Sequence, residues 1–242
     1  MNGKFGDEGF WIDQWQQKLE GYLKAPPRAG RFIQNHFGKR IGSALELGAG
    51  SCRDSLHLAS RGYSVSASDF NERTMTYLRS RFPDSGVSFS ADDSRALPFA
   101  DRSFDLVFHN GLIVCFEDDA DVHRILGEQC RVARRYAMVL VHNGENSRLR
   151  SQFAALARTD PLYNIRFFTR GDLLEVFKAA GLRFRTVRFR KFGGPADIFL
   201  GERIFGFPNP SRSWAPSFVT SLYQFQPWSR AERIAAILEL DA

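Results

Sequence analysis

The stretch "ALELGAGSCRDSLHLASRGYSVSASD", running from Ala44 to Asp69, decides the architecture. Ala44–Leu47 is a short apolar run fit for a buried strand, and Gly48 and Gly50 permit a sharp turn out of it. Arg53 to Arg61 carries helical spacing and stops at Gly62, a residue able to take positive φ beyond a helix end. Ser64–Ser68 then reads as a second strand, closed by Asp69. Strand, glycine turn, helix, strand and acid make one βαβ unit. Bare backbone N–H groups at such a turn can approach a ligand closely, and the helix after it adds its positive end.

Downstream the alternation persists. It predicts a helix over Glu72–Arg81, strands at Val87–Ala91 and Phe104–Asn110, a helix over Ala120–Ala133, a strand at Tyr136–His142, a helix over Arg170–Ala180 and a strand starting at Leu182. This rhythm implies an α/β fold with a doubly wound, mostly parallel, Rossmann-like sheet of about seven strands and helices on both faces. In "LRFRTVRFRKF", Leu182 and Phe184 are in one phase and Val187 and Phe189 in the other, so a register break is expected near Thr186. The arginines there read as the protection of an edge strand, with anion binding as the alternative.

Three further parts flank or interrupt the sheet. Residues 1–40 read as an N-terminal helical cap: Phe10, Trp11, Trp15, Leu19 and Tyr22 or Leu23 recur at helical spacing, Pro26 and Pro27 break the helix, and a second one reaches Phe37. Residues 41–205 form the main domain, with a cap insertion at 143–168. Residues 206–242 make a C-terminal extension, in which a last helix is expected over Arg230–Leu240.

With 43% hydrophobic and 25% charged residues, the chain is globular rather than disordered. Thirty-three Lys plus Arg against 27 Asp plus Glu leave a charge of +6, but the excess is spread along the chain, which favours solvated surface over a nucleic-acid footprint. The three cysteines stand far apart with no paired spacing, so neither a disulfide frame nor a metal site is expected. Acids near the amino terminus, and the lack of any apolar run near the roughly 18 residues of a membrane span, lead to a cytoplasmic expectation.

Which ligand the turn holds depends on the residues just past its glycines. A G-x-G-x-x-G dinucleotide turn needs its last glycine at position 53, where Arg53 would obstruct close packing of helix and strand, so NAD and FAD are disfavoured. A G-x-G-x-G turn needs a small residue at position 52, and Cys52 is small. Asp69 stands 21 residues beyond Gly48, where a carboxylate can accept both hydroxyls of a ribose. Capping of the "FNERTM" helix is its competing role. "SADDSRALPFADRSFDLVFHNGLIVCFED", from Ser90 to Asp118, adds an acid past the third strand, Leu97-Pro98-Phe99, and a polar turn at Asn110-Gly111.

Across "LELGAGSCRDS", "ASDF" and "DDSRALPFADRSFDLVFHNGLIVCF" the sequence resembles the class I S-adenosylmethionine-dependent methyltransferases, in particular their small-molecule subgroup. The resemblance spans about Ala44 to Leu200. It implies S-adenosylmethionine as cofactor and S-adenosylhomocysteine as product. Glu46, Gly48, Ala49 and Gly50 would then face the methionine part, Asp69 the ribose hydroxyls and Phe70 the adenine face. Asp93 with Ser94 would sit beside the adenine amino group, and Asn110, Gly111 and Leu112 would flank the methionine moiety and the transferable methyl. Two positions depart from the family pattern: Cys52 replaces the usual third glycine, and Val114-Cys115 stand where relatives often carry Glu-His.

The expected reaction is in-line methyl transfer to O, N or C of a small-molecule acceptor, with no metal, nucleic acid or membrane as partner. A positioned base would add roughly 10²–10⁴-fold where the acceptor carries a proton. His109 and His142, at the ends of the fourth and fifth strands, are candidates for it. Acceptor contacts are expected from Trp11, Trp15, Tyr163, Arg166 and Trp214. The competing functions are an RNA or protein methyltransferase using the basic surface, and a non-catalytic cofactor-binding regulator.

Overall fold

The computed structural model describes residues 8–200, 203–204, 207–208 and 215–241. In chain order the elements are α1 (Glu8–Lys24), α2 (Arg28–Phe37), β1 (Ser43–Leu47), α3 (Arg53–Ala59), β2 (Ser64–Asp69), α4 (Glu72–Arg81), β3 (Val87–Ala91), β4 (Phe104–Asn110), α5 (Asp119–Val132), β5 (Ala133–His142), α6 (Ser147–Leu156), α7 (Arg170–Ala179), β6 (Thr186–Phe192), a short antiparallel pair β7 (Arg203–Ile204) and β8 (Phe207–Pro208), α8 (Ala215–Phe225) and β9 (Arg233–Glu239).

Seven strands form one sheet in the order β3-β2-β1-β4-β5-β9-β6, an α/β Rossmann-like arrangement. All pairings from β3 to β5 are parallel, whereas β9 runs antiparallel to both β5 and β6. Strand β5, an inner strand of the sheet with both faces covered, is a continuous buried run from Tyr136 to Val141. One face packs with α2 and α8 through Phe32, Ile33, Leu106, Phe108, Val219 and Tyr223. The other packs with α5 and α7 through Val122, Ile125, Val139, Leu173 and Phe177. Among the described residues, no helix is long and apolar enough to cross a membrane.

Local signals explain the boundaries. Asn71 caps α4, its side chain accepting the Thr74 N–H at 3.0 Å, so Asp69 is not the cap. Thr169 and Asp172 close a reciprocal capping box at the start of α7. Strand β6, at one edge of the sheet, begins at Thr186 rather than at Leu182, and its register with β9 is unbroken from Thr186 to Phe192, so the phase change marks the start of the strand and not a break within it.

The last element corrects the sequence expectation. Residues expected as a helix over Arg230–Leu240 form the turn Trp228–Arg230 and then strand β9. Ala, Glu and Leu give "RIAAILE" good helix propensity, but Ile234 through Leu238 are buried on both faces between β5 and β6. Propensity differences of a few tenths of a kcal/mol per residue are outweighed by that burial. The extension is therefore part of the central sheet.

The strand order reverses direction between β1 and β4, which opens a crevice beyond their carboxyl ends. Helix α1 and residues 143–168 meet over it, joined by an ion pair from Lys18 to Asp160 at 2.7 Å.

Candidate active site

Beyond β1 the chain enters the turn with Gly48 at φ 57, Gly50 at φ 52 and Cys52 at φ 54. A Cβ on Gly48 would stand 2.7 Å from Leu112 Cδ1, so glycine is required both for the backbone conformation and for the close approach of the loop after β4. Ala49 N–H donates to the Ser68 carbonyl at 3.0 Å, which ties the turn to β2. Asp69 completes it: its Oδ2 accepts the Gly50 N–H at 2.9 Å and its Oδ1 the Asn71 N–H at 3.1 Å. Burial pushes this carboxyl up, and the two backbone donors oppose that shift. Each oxygen keeps acceptor capacity beyond its backbone bond.

A partly open cavity of about 800 Å³ lies above the turn. Asp69 and Phe70 border one part of it, with Phe70 42% exposed and its ring open to a flat ligand. Asp93 and Ser94 stand nearby, with Asp93 Oδ1 and Oδ2 taking bonds from the Arg95 guanidinium at 2.8 to 3.1 Å. That pair holds the Asp93 carboxyl below the usual range.

Beneath the glycine turn lies a buried polar chain. Glu46 Oε2 accepts the Ser55 N–H at 3.1 Å and the Ser55 hydroxyl at 2.5 Å. Asp54, one residue earlier on α3, takes the Gly30 N–H on Oδ1 at 2.9 Å and the Asn110 amide on Oδ2 at 3.3 Å. Asn110 Oδ1 in turn accepts from Arg233 Nη1. Arg233 reaches Glu232 at 3.4 Å, and Glu232 pairs with Arg28, which also holds Asp197. Desolvation, with the nearby Asp54 charge, pushes the Glu46 carboxyl up to about 8.

Residues 44–135 match the family model for methyltransferase domains. This part of the chain is a methyltransferase domain. A malonyl-[acyl-carrier protein] O-methyltransferase from Methylococcus capsulatus is 35% identical over 102 residues, which are 41% of this chain and 36% of that protein. The chain thus spans about a third of that relative's length. Two solved structures share the fold. One, from Thermotoga maritima, is described as a possible histamine N-methyltransferase; it has a TM-score of 0.61 and 16% identity over 97% of this chain and 98% of that one. The other is a Burkholderia thailandensis 1,6-didemethyltoxoflavin-N1-methyltransferase with bound 1,6-didemethyltoxoflavin and S-adenosylhomocysteine, at TM-score 0.61 and 17% identity over 97% of this chain and 87% of that one.

All eleven residues assigned to the cofactor by resemblance line this cavity of the methyltransferase domain. The donor set also fits: a carboxylate at the end of β2, a glycine, Gly48, without room for a Cβ, and an open aromatic face. The acceptor assignments divide. Tyr163 lines the cavity, as does His142. Arg166 does not: it pairs with Asp119 at 2.8 Å, donates to the Phe116 carbonyl and lies over the Phe168 ring. His109 points away, fully buried, its Nδ1 accepting the Leu112 N–H at 3.4 Å, and burial pushes it down to about 3. It is a neutral structural histidine and no base for the acceptor. The side chains of Trp11 and Trp15, and all of Trp214, lie outside the described residues.

Sequence reasoning missed Asp54 and Arg233, which through Asn110 join the start of α3 to β9. Asp54 gave a signal, an acid in the first turn after the glycines, that helix capping alone accounts for equally well. Arg233 was hidden by the helical reading of its segment. Cys115 also lines the cavity, but burial pushes its thiol up to about 12, leaving a poor nucleophile.

Cys52 occupies a left-handed backbone position, which strains a non-glycine residue by about 1–2 kcal/mol. Its side chain is buried among Ala49, Ala67, Met75 and Leu78, and that packing offsets a comparable amount. Cys52→Gly should therefore change unfolding free energy by no more than about 1 kcal/mol and leave S-adenosylhomocysteine affinity within about twofold. A large loss of affinity by calorimetry would show that the thiol supports the turn.

Proposed function

We propose that the chain is an enzyme that transfers a methyl group from S-adenosylmethionine to an O, N or C atom of a small-molecule acceptor, in the cytoplasm. The observation that carries this reading is the partly open cavity of about 800 Å³, which α1 and residues 143–168 both help to line. That size suits a cofactor with a small acceptor better than a polymer chain. We also propose a functional division: a helical cap at 1–40, a catalytic domain at 41–205 with a substrate-side cap at 143–168, and an extension at 206–242 that completes the sheet.

When bound, the cofactor supplies an electrophilic sulfonium methyl, so the residues here have mainly to position the acceptor. Asp69 would fix the ribose and Phe70 the adenine. Leu112, packed against Gly48, and Gly111 would form the wall beside the reacting groups. His142, 7% exposed with Nδ1 unpartnered, is the side chain able to take a hydrogen bond or proton from the acceptor. Burial and the charges of Arg233 and Arg28 keep it neutral. Against an RNA or protein acceptor at this site, Arg188 and Arg190 lie on the edge strand β6 and do not line the cavity.

Calorimetry tests the reading directly. The wild-type chain should bind S-adenosylmethionine and S-adenosylhomocysteine, and absence of both would overturn it. Tight, salt-sensitive RNA association would instead favour the polymer reading.

A further inference from the structure

Arg233 is a buried guanidinium facing a cavity with too little negative charge committed to it. Nη1 is taken by the Asn110 side chain, a neutral acceptor. Its ion pair, to Glu232 Oε1, is long at 3.4 Å. Glu232 is itself held at 2.8 Å by Arg28. Arginine presents five donors in a planar fork that matches a carboxylate two bonds at a time. In a buried setting that match matters, because a poorly paired charge is costly.

Position narrows what would complete the pairing. Arg233 is the direct cross-strand partner of His142, so the two side chains share one face of the sheet, and both line the cavity. A Cβ on Gly111 would meet Arg233 Nη1 at 3.4 Å, which places the guanidinium against the turn after β4. On the far side of His142 stands an aromatic wall. The His142 ring lies 5.0 Å from Phe153 and 5.7 Å from Phe167, and Phe153 lies 5.2 Å from Tyr163. Leu162 and Ile165 add apolar lining. The cavity lining also carries Asp92, Asp93, Asp118 and Asp121, and Arg95 there is already paired with Asp93 at 2.8 Å and Asp121 at 3.4 Å.

We propose that Arg233 and His142 form a carboxylate-binding subsite beside the aromatic wall, and that the acceptor is a small planar acid. The acid group would take the remaining N–H donors of the Arg233 fork, the planar body would lie along Phe153 and Tyr163, and His142 Nδ1 would meet a polar hydrogen of the acceptor. This rests on the proposed methyl transfer and names the acceptor class for it. A carboxylate also terminates the cofactor's methionine part, so two sources share the chemistry.

Equilibrium binding on the full chain separates them. The acceptor probes are aryl carboxylates such as benzoate and salicylate, each paired with its amide, on protein saturated with S-adenosylhomocysteine. The cofactor probes are S-adenosylhomocysteine and methylthioadenosine, which lacks the carboxylate. Acids should bind at least tenfold better than their amides in the wild type. Arg233→Gln should abolish that preference, Arg233→Lys should keep part of it, and in both any loss of affinity transmitted through Asn110 should fall equally on S-adenosylhomocysteine and methylthioadenosine. If Arg233→Gln instead weakens S-adenosylhomocysteine tenfold, spares methylthioadenosine and leaves the aryl acids unchanged, the carboxylate is the cofactor's and the acceptor proposal is overturned. Equal binding of acids and amides by the wild type overturns it without any variant. Failure of the wild type to bind S-adenosylhomocysteine is a separate result and removes the methyltransferase reading itself.

Discussion

Asp69→Ala is expected to weaken S-adenosylmethionine and S-adenosylhomocysteine binding by roughly 100- to 1,000-fold, from the loss of two charge-assisted hydrogen bonds of about 1.5–3 kcal/mol each less the relief of a buried carboxylate. The geometry behind this is the split of the carboxylate: one oxygen holds Gly50 N–H and the other Asn71 N–H, so both oxygens are fixed in direction at the cavity edge. The same bonds mean that the alanine variant leaves two backbone donors without their partner, and its thermal midpoint should fall as well. A ligand comparison separates the two effects. Wild-type protein should prefer methylthioadenosine over its 2′-deoxy analogue, whereas the variant should bind both alike. Unchanged cofactor affinity in a folded variant would remove Asp69 from this role.

That the sequence exposes Asp69 and not Arg233 has a physical reason. Everything that builds the first βαβ unit lies within 26 residues, Ala44 to Asp69: a buried strand, glycines at positive φ, a helix ending before Gly62, and an acid closing the next strand. Local conformational preference and local burial agree there, so the fold and its ligand turn can be read together. Strand β9 is the opposite case. Its partners Tyr136–His142 and Thr186–Phe192 are far away in sequence, and nothing within "RIAAILE" distinguishes a strand buried on both faces from a buried helix. Misreading it as a helix displaced Glu232 and Arg233 from view. His109 and His142 show a subtler limit. Both end strands in the parallel sheet, but one strand register sends His109 into the core while the cross-strand partner of Arg233 faces the cavity.

Glu46→Gln should have two large and opposite effects, both dependent on pH. Glu46 is buried, its Oε2 accepts two bonds from Ser55, and its carboxyl is pushed from an ordinary 4.5 up to about 8 by burial and by Asp54. Because the folded value lies above the unfolded one, the folded chain binds the extra proton in between. Stability contributed by this group is complete below about 4.5 and is lost as pH rises through about 8. A glutamine keeps an acceptor for Ser55 without the ionisation cost. The variant should therefore gain on the order of a few kcal/mol relative to wild type between pH 5.5 and 8.5, measured by denaturant unfolding. Cofactor binding should move the other way. A cationic methionine end placed over the turn favours ionised Glu46, so wild-type affinity should rise with pH up to about 8 while the variant's stays flat. The two should bind alike near pH 6 and differ by roughly tenfold above pH 8.5, the worth of one charge-assisted contact. Parallel pH profiles would mean that Glu46 supports the turn through Ser55 and does not sense the cofactor's charge.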